Sequence, residues 1–218
     1  MNGYQRISAA LRGEWTARRP VMLHSFMMAA REAGLTMRQF REDPVRMARA
    51  FIDYTERYEC DGVMIDVDTV TLSGAAGVPL DLPDDLPARA AGARLTDLSQ
   101  VGSLEPVDIS KYWRVQVWLE AARELVRHFG SDVFVRGNCD QCPFSLASSI
   151  RSLDGWMLDL TDPANEERIH QLLEYATGVT LQFIELMAAT GVHMVSNGDS
   201  PAGPDLISPR YYRRYAMP

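Results

Sequence analysis

The chain has 218 residues, of which 46% are hydrophobic and 23% charged, so one globular domain over residues 1–218 can bury a sizeable core. A formal net charge of −7 without a cluster of Lys and Arg excludes a nucleic-acid surface, because phosphate binding requires clustered cations. No apolar run approaches the roughly 20 residues that cross a bilayer, and three cysteines without a signal peptide favour a reducing cytoplasm. These features predict a cytoplasmic protein that binds a small molecule rather than a membrane.

Helical and strand patterns alternate along most of the chain. In the first part of the chain, the sequence predicts a helix over residues 4–11, a strand over 18–26, helices over 36–39 and 44–57, and a strand over 61–70. An irregular Pro-rich stretch with one short strand follows over 79–106. The rest of the chain is predicted to form a helix over 110–129, a strand over 132–139, a helix beginning at Pro143, a helix over 163–190 and a strand over 192–200. Strands separated by helical segments of a dozen or more residues pair in parallel through crossovers.

The number of strand–helix units indicates the fold. About five units are present, and no Gly-rich G-x-G-x-x-G turn follows the first strand, which favours an α/β fold of the (β/α)8 TIM barrel type over a doubly wound sheet. Because a full barrel takes about 250 residues, the barrel is predicted to be incomplete. Its open sheet edges predict a chain that is poorly stable alone or that forms a homo-oligomer.

Polar side chains cluster where the predicted strands end. In GVMIDVD, alternation places Asp66 and Asp68 on the face opposite Ile65 and Val67, with Asp68 at the carboxyl end of the strand, where barrels build their active sites. The same argument gives the other candidates for a ligand pocket: His24, Arg136, Asn138, Asp140, Asn197 and Asp199. Because unpaired polar groups are expensive to bury, the set predicts a small-molecule site. The alternative is that these residues cap helices and close turns.

A C-x-x-C spacing joins Cys139 and Cys142. A thioredoxin-like redox pair stands near the first strand of a small domain, whereas this pair comes late in the chain. A zinc half-site requires a second ligand pair, which Cys60 and the four histidines do not offer by spacing. The motif therefore indicates a loop at the mouth of the pocket, and no metal ligand is predicted in this chain.

Four segments carry a resemblance to a known family: ALRGEWTARRPVML, DGVMIDVDTVTLSGAAGVPL, VRGNCDQCPFSLASSI and GDSPAGPDLISPRYYRRYAMP. In their order and spacing they resemble the uroporphyrinogen decarboxylase superfamily, a set of (β/α)8 barrels that includes the haem-pathway decarboxylase and the methylcobalamin:coenzyme M methyltransferases. The resemblance covers nearly the whole chain. It implies that the last strand–helix units of the barrel, about its C-terminal third, are missing from this sequence.

The match to the decarboxylases is partial. Asp68 lies where they hold the aspartate that binds the pyrrole NH groups, nine residues before Gly77, and the resemblance therefore implies a catalytic Asp68. Their Arg-Gln-Ala-Gly-Arg-Tyr segment, whose arginines engage the substrate carboxylates, is replaced by HSFMMAAREAG with Arg31 alone, and one of their tyrosines falls at Ser149. Arg136 by itself provides too few positive charges to bind a porphyrinogen, which has many carboxylates.

The methyltransferase branch also lacks those arginines, and the start of one of its helices is similar to PFSLASS. The resemblance implies, as the leading hypothesis, a corrinoid-dependent enzyme that moves a methyl group between methylcobalamin and a small thiol. Asp68, Asn138 and Asp199 would orient the substrate, a corrinoid protein is an implied partner, and zinc ligands are expected in the missing C-terminal part. Two alternatives remain: a uroporphyrinogen decarboxylase, a lyase in which Asp68 steadies the protonated pyrrole, and a non-catalytic truncated barrel.

Overall fold

Four strands of the computed structural model, which describes residues 1–139 and 141–218, form one parallel sheet in the order β1-β2-β5-β6. The strands of this sheet are β1 (Met22–Leu23), β2 (Gly62–Ile65), β5 (Phe134–Asn138) and β6 (Met194–Ser196), and a separate antiparallel hairpin consists of β3 (Leu80–Asp81) and β4 (Arg89–Ala90). The α-helices are α1 (Gly3–Leu11), α2 (Phe26–Glu32), α3 (Met37–Glu42), α4 (Pro44–Arg57), α5 (Thr71–Ala75), α6 (Trp113–Phe129), α7 (Pro143–Arg151), α8 (Leu153–Asp159), α9 (Glu166–Ala188) and α10 (Pro209–Tyr211). Short 3-10 helices at Leu98–Ser103, Ile109–Lys111, Pro163–Asn165 and Ser200–Ala202, and a π-helical turn at Tyr212–Ala216, complete the described elements.

Local sequence signals explain where several helices begin and end. Asn2 forms a capping box with Gln5 at the start of α1. The Asp43 side chain accepts hydrogen bonds from the first amides of α4, with Pro44 at the first helical position. Gly130 ends α6 with a φ of +50°, a conformation that favours glycine.

The register of the sheet fixes which side chains share a face. Met64 of β2 pairs with Arg136 of β5, which pairs with Met194 of β6. A Cβ atom built at the next residue, Gly137, would lie 2.5 Å from the Met187 side chain of α9, so this face packs closely on a helix. Because side chains alternate along a strand, Arg136 and its row point to the opposite face, which corresponds to the interior of a barrel. We call it the inner face.

The hydrophobic core lies between the outer face of the sheet and the crossover helices. Val63, Ile65 and Val135 are buried there. Trp118 of α6 packs edge-to-face on Phe183 of α9, with 5.6 Å between the ring centroids. Within the described part of the chain, no helix combines the length and apolarity that crossing a membrane requires.

The structure corrects the predicted number of strand–helix units. The short strand expected within residues 79–106 is β4, which pairs with β3 in the antiparallel hairpin and takes no place in the parallel sheet. Proline supplies no amide hydrogen, so this Pro-rich stretch is unsuited to an inner strand. The described residues therefore contain four parallel strands rather than five, and the strand that carries Arg136 is the third of the sheet.

Candidate active site

A hydrogen-bonded row crosses the inner face at the carboxyl ends of β5 and β6. Nε of Arg136 donates to Oγ of Ser196 at 2.6 Å, and the same hydroxyl donates to Oδ1 of Asn138 at 2.9 Å. Asn138 is buried, whereas Arg136 and Ser196 are half-buried. A serine hydroxyl has one hydrogen and two lone pairs, so it accepts from the arginine and donates to the amide simultaneously. This chain of contacts fixes the position of the guanidinium group.

His24 and Asp66 form a second polar pair on this face. Each follows the last residue of its strand, and because β1 and β2 are parallel neighbours their carboxyl ends meet. Nε2 of His24 lies 2.6 Å from Oδ2 of Asp66, and the Phe26 ring packs against the imidazole with 5.6 Å between centroids. The His24 side chain is 56% exposed and that of Asp66 only 4%, so the histidine can meet a ligand while the carboxylate orients it.

Asp68 does not join these inner-face groups. Strand β2 ends at Ile65, and strict alternation does not extend to a residue three positions later. Oδ1 of Asp68 accepts hydrogen bonds from the amide of Val70 and the hydroxyl of Thr71, both at 2.9 Å, and Oδ2 forms an ion pair with Arg114 of α6. The expectation that Asp66 and Asp68 point the same way is therefore wrong. Asp68 ties the loop after β2 to the start of α6.

Two buried arginines surround this carboxylate. Arg114 is 2% exposed and packs over the Trp113 ring, with its guanidinium carbon 5.5 Å from the ring centroid. Arg41, on α3, donates to the carbonyl oxygens of Leu86 and Pro83. Burial, and to a smaller extent the charge of Arg114, lowers the pKa of Arg41. Neither arginine was predictable from sequence, since nothing in a helical pattern identifies a charged residue that becomes buried through tertiary contacts.

Asp199 stabilises the start of α7. Its Oδ1 accepts a hydrogen bond from the amide of Ser145 at 2.7 Å and another from the Ser145 hydroxyl. The residue at the N-cap position, Cys142, makes no side-chain capping bond, and its amide donates to the carbonyl of Gly198 at 3.1 Å. The carboxylate thus acts as a helix cap supplied by a distant loop. For Asp199, the capping alternative raised by the sequence analysis describes these contacts.

Two predicted site residues remain, Asn197 and Asp140. Asn197 is exposed and its Oδ1 accepts from the amide of the following residue, Gly198, at 3.0 Å. Asp140, predicted at the mouth of the pocket, lies outside the described residues. The structure therefore brings together His24 with Asp66 and Arg136 with Asn138, among the residues predicted from sequence.

A hydroxyl-lined cleft lies between α7 and the segments that follow β2, β5 and β6. It has a volume of about 180 Å³, and its lining comprises Thr69, Gln141, Ser145, Ser148, Ser149, Ser200 and Pro201. A second cleft of about 400 Å³ shares Ser148, Ser149 and Pro201 with it and continues along the small side chains of Ala90 and Ala93. The serines of PFSLASS were visible in the sequence as a polar pattern at a helix start, but only the fold shows that they line a cleft.

Cys139 of the C-x-x-C pair is buried and carries a free thiol. Burial raises the pKa of Cys139 to about 12, which keeps its thiol protonated at neutral pH. Among the described residues, no group of three or more His, Cys, Asp or Glu side chains is arranged to hold a metal ion. The zinc implied by the family resemblance therefore has no matching set of ligands in this part of the protein.

A parallel sheet with helical crossovers and polar groups at its carboxyl ends defines part of an α/β barrel. The uroporphyrinogen decarboxylase (URO-D) family model matches residues 2–218, and the chain belongs to this family. A solved structure described as a methyltransferase from Methanosarcina mazei superposes with a TM-score of 0.86 at 23% identity, covering 99% of this chain and 64% of the other. The predicted fold, an incomplete barrel of the URO-D type, is confirmed.

The chain is similar in sequence to curated proteins of two kinds, methyltransferases and decarboxylases. The methylcobamide:CoM methyltransferase MtaA of Methanosarcina barkeri is 24% identical over 187 residues, which cover 84% of this chain and 53% of MtaA. The uroporphyrinogen decarboxylase of Mycobacterium bovis (strain BCG / Pasteur 1173P2) is 30% identical over 229 residues, which cover 96% of this chain and 59% of that protein. The chain thus spans somewhat more than half the length of these curated relatives.

Proposed function

We propose that this chain is the substrate-binding part of a methyltransferase-type enzyme of the URO-D family, which moves a methyl group between a cobalamin and a small thiol. The observation that supports this assignment is the cation content of the inner face. In the described residues, the inner-face row contains one arginine, Arg136, whereas a porphyrinogen has many carboxylates to be matched. Methyltransferases of Methanosarcina, 24% and 27% identical to this chain, are compatible with this assignment, and decarboxylases 28% and 30% identical are compatible with the alternative.

Arg31, the nearest candidate for a second substrate-binding arginine, does not supply this charge. It lies on α2 and lines a cleft of about 390 Å³ together with Met28, Leu35 and Asp85. Arg31 is exposed on this helix and takes no part in the inner-face row. This position weakens the case for tetrapyrrole decarboxylation, which remains the alternative function.

The proposed role of His24 is to accept the proton of the thiol. Asp66 holds Nε2, which leaves Nδ1 for the substrate. When the proton passes from sulfur to Nδ1, the electron pair of the S–H bond stays on sulfur and creates the nucleophile. Asp66 is a positioning residue in this scheme, because it acts on the substrate through His24.

The similarity to methyltransferases implies two cofactors, a corrinoid and zinc. A corrinoid supplies an activated methyl group when bound, but a cleft of about 180 Å³ is below the volume of ordinary ligand pockets. We propose that a partner protein carries the corrinoid to this site. Zinc has no fitting set of ligands among the described residues, so the scheme assigns it no step. A cytoplasmic location stays a prediction.

The test mixes the purified chain with methylcobalamin and a small thiol such as coenzyme M, and follows the visible spectrum as the methyl group is lost. A parallel reaction with uroporphyrinogen measures decarboxylated porphyrins. We expect demethylation that falls about 10²–10⁴-fold in His24→Gln. His170→Gln is the matched control, because the His170 side chain is similarly exposed, at 52%. Conversion of uroporphyrinogen without demethylation would refute the proposal, and a well-folded chain inert toward both would support the non-catalytic alternative.

A further inference from the structure

Arg136 differs from the other arginines of the described chain. Every other arginine there that is not exposed has a carboxylate or carbonyl partner: Arg6 with Asp61, Arg41 with Leu86 and Pro83, Arg114 with Asp68, Arg151 with Asp159 and Arg214 with Glu166. Arg136 is half-buried, and its one hydrogen bond to the described residues runs from Nε to the neutral hydroxyl of Ser196. Its Nη atoms are not among the buried side-chain atoms that lack a partner, so they are accessible to an anionic ligand.

The described surroundings of Arg136 fix the guanidinium group, and no described carboxylate pairs with it. Ser196 holds Nε, and Asn138 holds Ser196 in turn. The two Nη groups make no hydrogen bond to the described residues, and they are the pair that binds a carboxylate or sulfonate through two parallel contacts. The inner-face carboxylate of Asp66 is paired with His24. The guanidinium fork is thus positioned, without a carboxylate partner among the described residues, at the end of the sheet where barrels bind substrates.

We propose that Arg136 binds a single oxyanion group, a carboxylate or a sulfonate, on the small molecule that occupies this face. The inference rests on the proposed function for the identity of the site, and it adds the residue that recognises the anionic end of the substrate. One cation matches one anionic group. The adjacent His24–Asp66 pair would then face the reactive end of a short molecule.

The test uses acetate and methanesulfonate as probes and their uncharged counterparts, acetamide and dimethyl sulfone, as controls, in a buffer of low anion content. Backbone amide NMR of the full chain follows Gly137, Asn138 and Ser196. We expect saturable shifts at these amides with at least one of the anions, and neither neutral compound should reproduce them. A response to acetate alone would identify a carboxylate, and a response to methanesulfonate alone a sulfonate. Equal shifts with the neutral compounds would overturn the proposal.

Variants separate Arg136 from general surface charge. Arg136→Gln should weaken anion binding by about 10–100-fold, which corresponds to the loss of a hydrogen bond to a charged group. Arg19→Gln removes an exposed charge and should leave the affinity unchanged. If Arg136→Gln fails to fold, Arg136→Lys keeps the charge but loses the two-pronged geometry, and it should still weaken binding several-fold. Unchanged affinity in a folded Arg136 variant overturns the inference.

Failure of this inference is distinguishable from failure of the proposed function. Anion binding is measured without a methyl donor, so it can persist in a chain that transfers no methyl group, and the methyltransferase assignment alone would then fall. Methyl transfer by a chain that does not bind either anion at these amides would remove Arg136 from the site and leave the proposed reaction standing.

Discussion

The buried ion pair between Asp68 and Arg114 predicts an asymmetric loss of stability. The two side chains are 1% and 2% exposed. Removing one partner of a buried pair leaves a charge without compensation, which costs about 3–5 kcal/mol. In Arg114→Met the remaining carboxylate keeps its hydrogen bonds from Val70 and Thr71, so we expect about 3 kcal/mol. In Asp68→Asn the remaining guanidinium already has Nε and Nη1 without hydrogen-bond partners among the described residues, and we expect about 5 kcal/mol.

These values are large enough to measure by thermal and urea unfolding. For a chain of this length, about 1 kcal/mol lowers Tm by roughly 2–4 °C, so Arg114→Met should lower it by about 6–12 °C and Asp68→Asn by about 10–20 °C. The double variant should lose less than the sum of the two single variants, because neither charge is then left alone. The exposed pair Arg49–Asp53, four residues apart on α4, is the matched control, and Arg49→Met should lose only about 0.3–0.5 kcal/mol.

Two outcomes would contradict the predicted role of the Asp68–Arg114 ion pair. A loss below about 1 kcal/mol in both single variants would mean that the pair is hydrated or unformed in solution, as is typical of surface pairs. Strict additivity in the double variant would show that the two side chains do not interact.

Three further predictions concern the pocket mouth. Asp66→Asn should replace the single neutral tautomer of His24 with a mixture, as seen in the imidazole ¹⁵N shifts, and an unchanged tautomer would contradict the pairing at 2.6 Å. Asp199→Asn should destabilise the chain by about 0.5–2 kcal/mol in urea unfolding, because it weakens the carboxylate bonds to Ser145 at the start of α7, and an equal loss of amide protection in α4 would argue against a local effect. Because burial raises the pKa of Cys139 from 9.0 to about 12, the folded state retains this proton when the unfolded state loses it. The free energy of unfolding should therefore fall as the pH rises from about 9 to about 12, more steeply than in Cys139→Ala.

Much of the inner face was predictable from sequence, because it depends on short-range rules. The period of two along a strand and the meeting of parallel strand ends predicted that Arg136 and Asn138 share one side of their strand and that His24 and Asp66 lie at the same end of the sheet. In the structure His24 contacts Asp66 directly, and Arg136 contacts Asn138 through the hydroxyl of Ser196; their role as a ligand site stays a prediction. The α/β character and the incomplete barrel followed from the alternation of elements.

The side-chain directions of Asp68 and Asp199 were not predictable, because both residues lie beyond the last hydrogen-bonded residues of their strands. Asp66 stands one residue beyond the end of β2 and keeps the direction that alternation predicts, whereas Asp68 stands three residues beyond it and bonds to the helical layer. Asp199 likewise stands three residues beyond β6 and caps α7. Once the ladder ends, the direction of a side chain is set by the nearest unsatisfied amide or cation, which sequence periodicity does not encode.

This rule constrains the catalytic role expected for Asp68, which stays a prediction. To act in the pocket, Asp68 would first have to leave Arg114, and a penalty of about 3–5 kcal/mol corresponds to a population of roughly one in 10²–10⁴ with the carboxylate released. A ligand could offset that penalty only by binding Asp68 more strongly than Arg114 does. If Asp68 works solely through the ion pair, Asp68→Asn and Arg114→Met should reduce activity only in proportion to the folded fraction, with kcat per folded chain unchanged. A much lower kcat in folded Asp68→Asn, with a normal value in folded Arg114→Met, would instead support direct catalysis by the carboxylate.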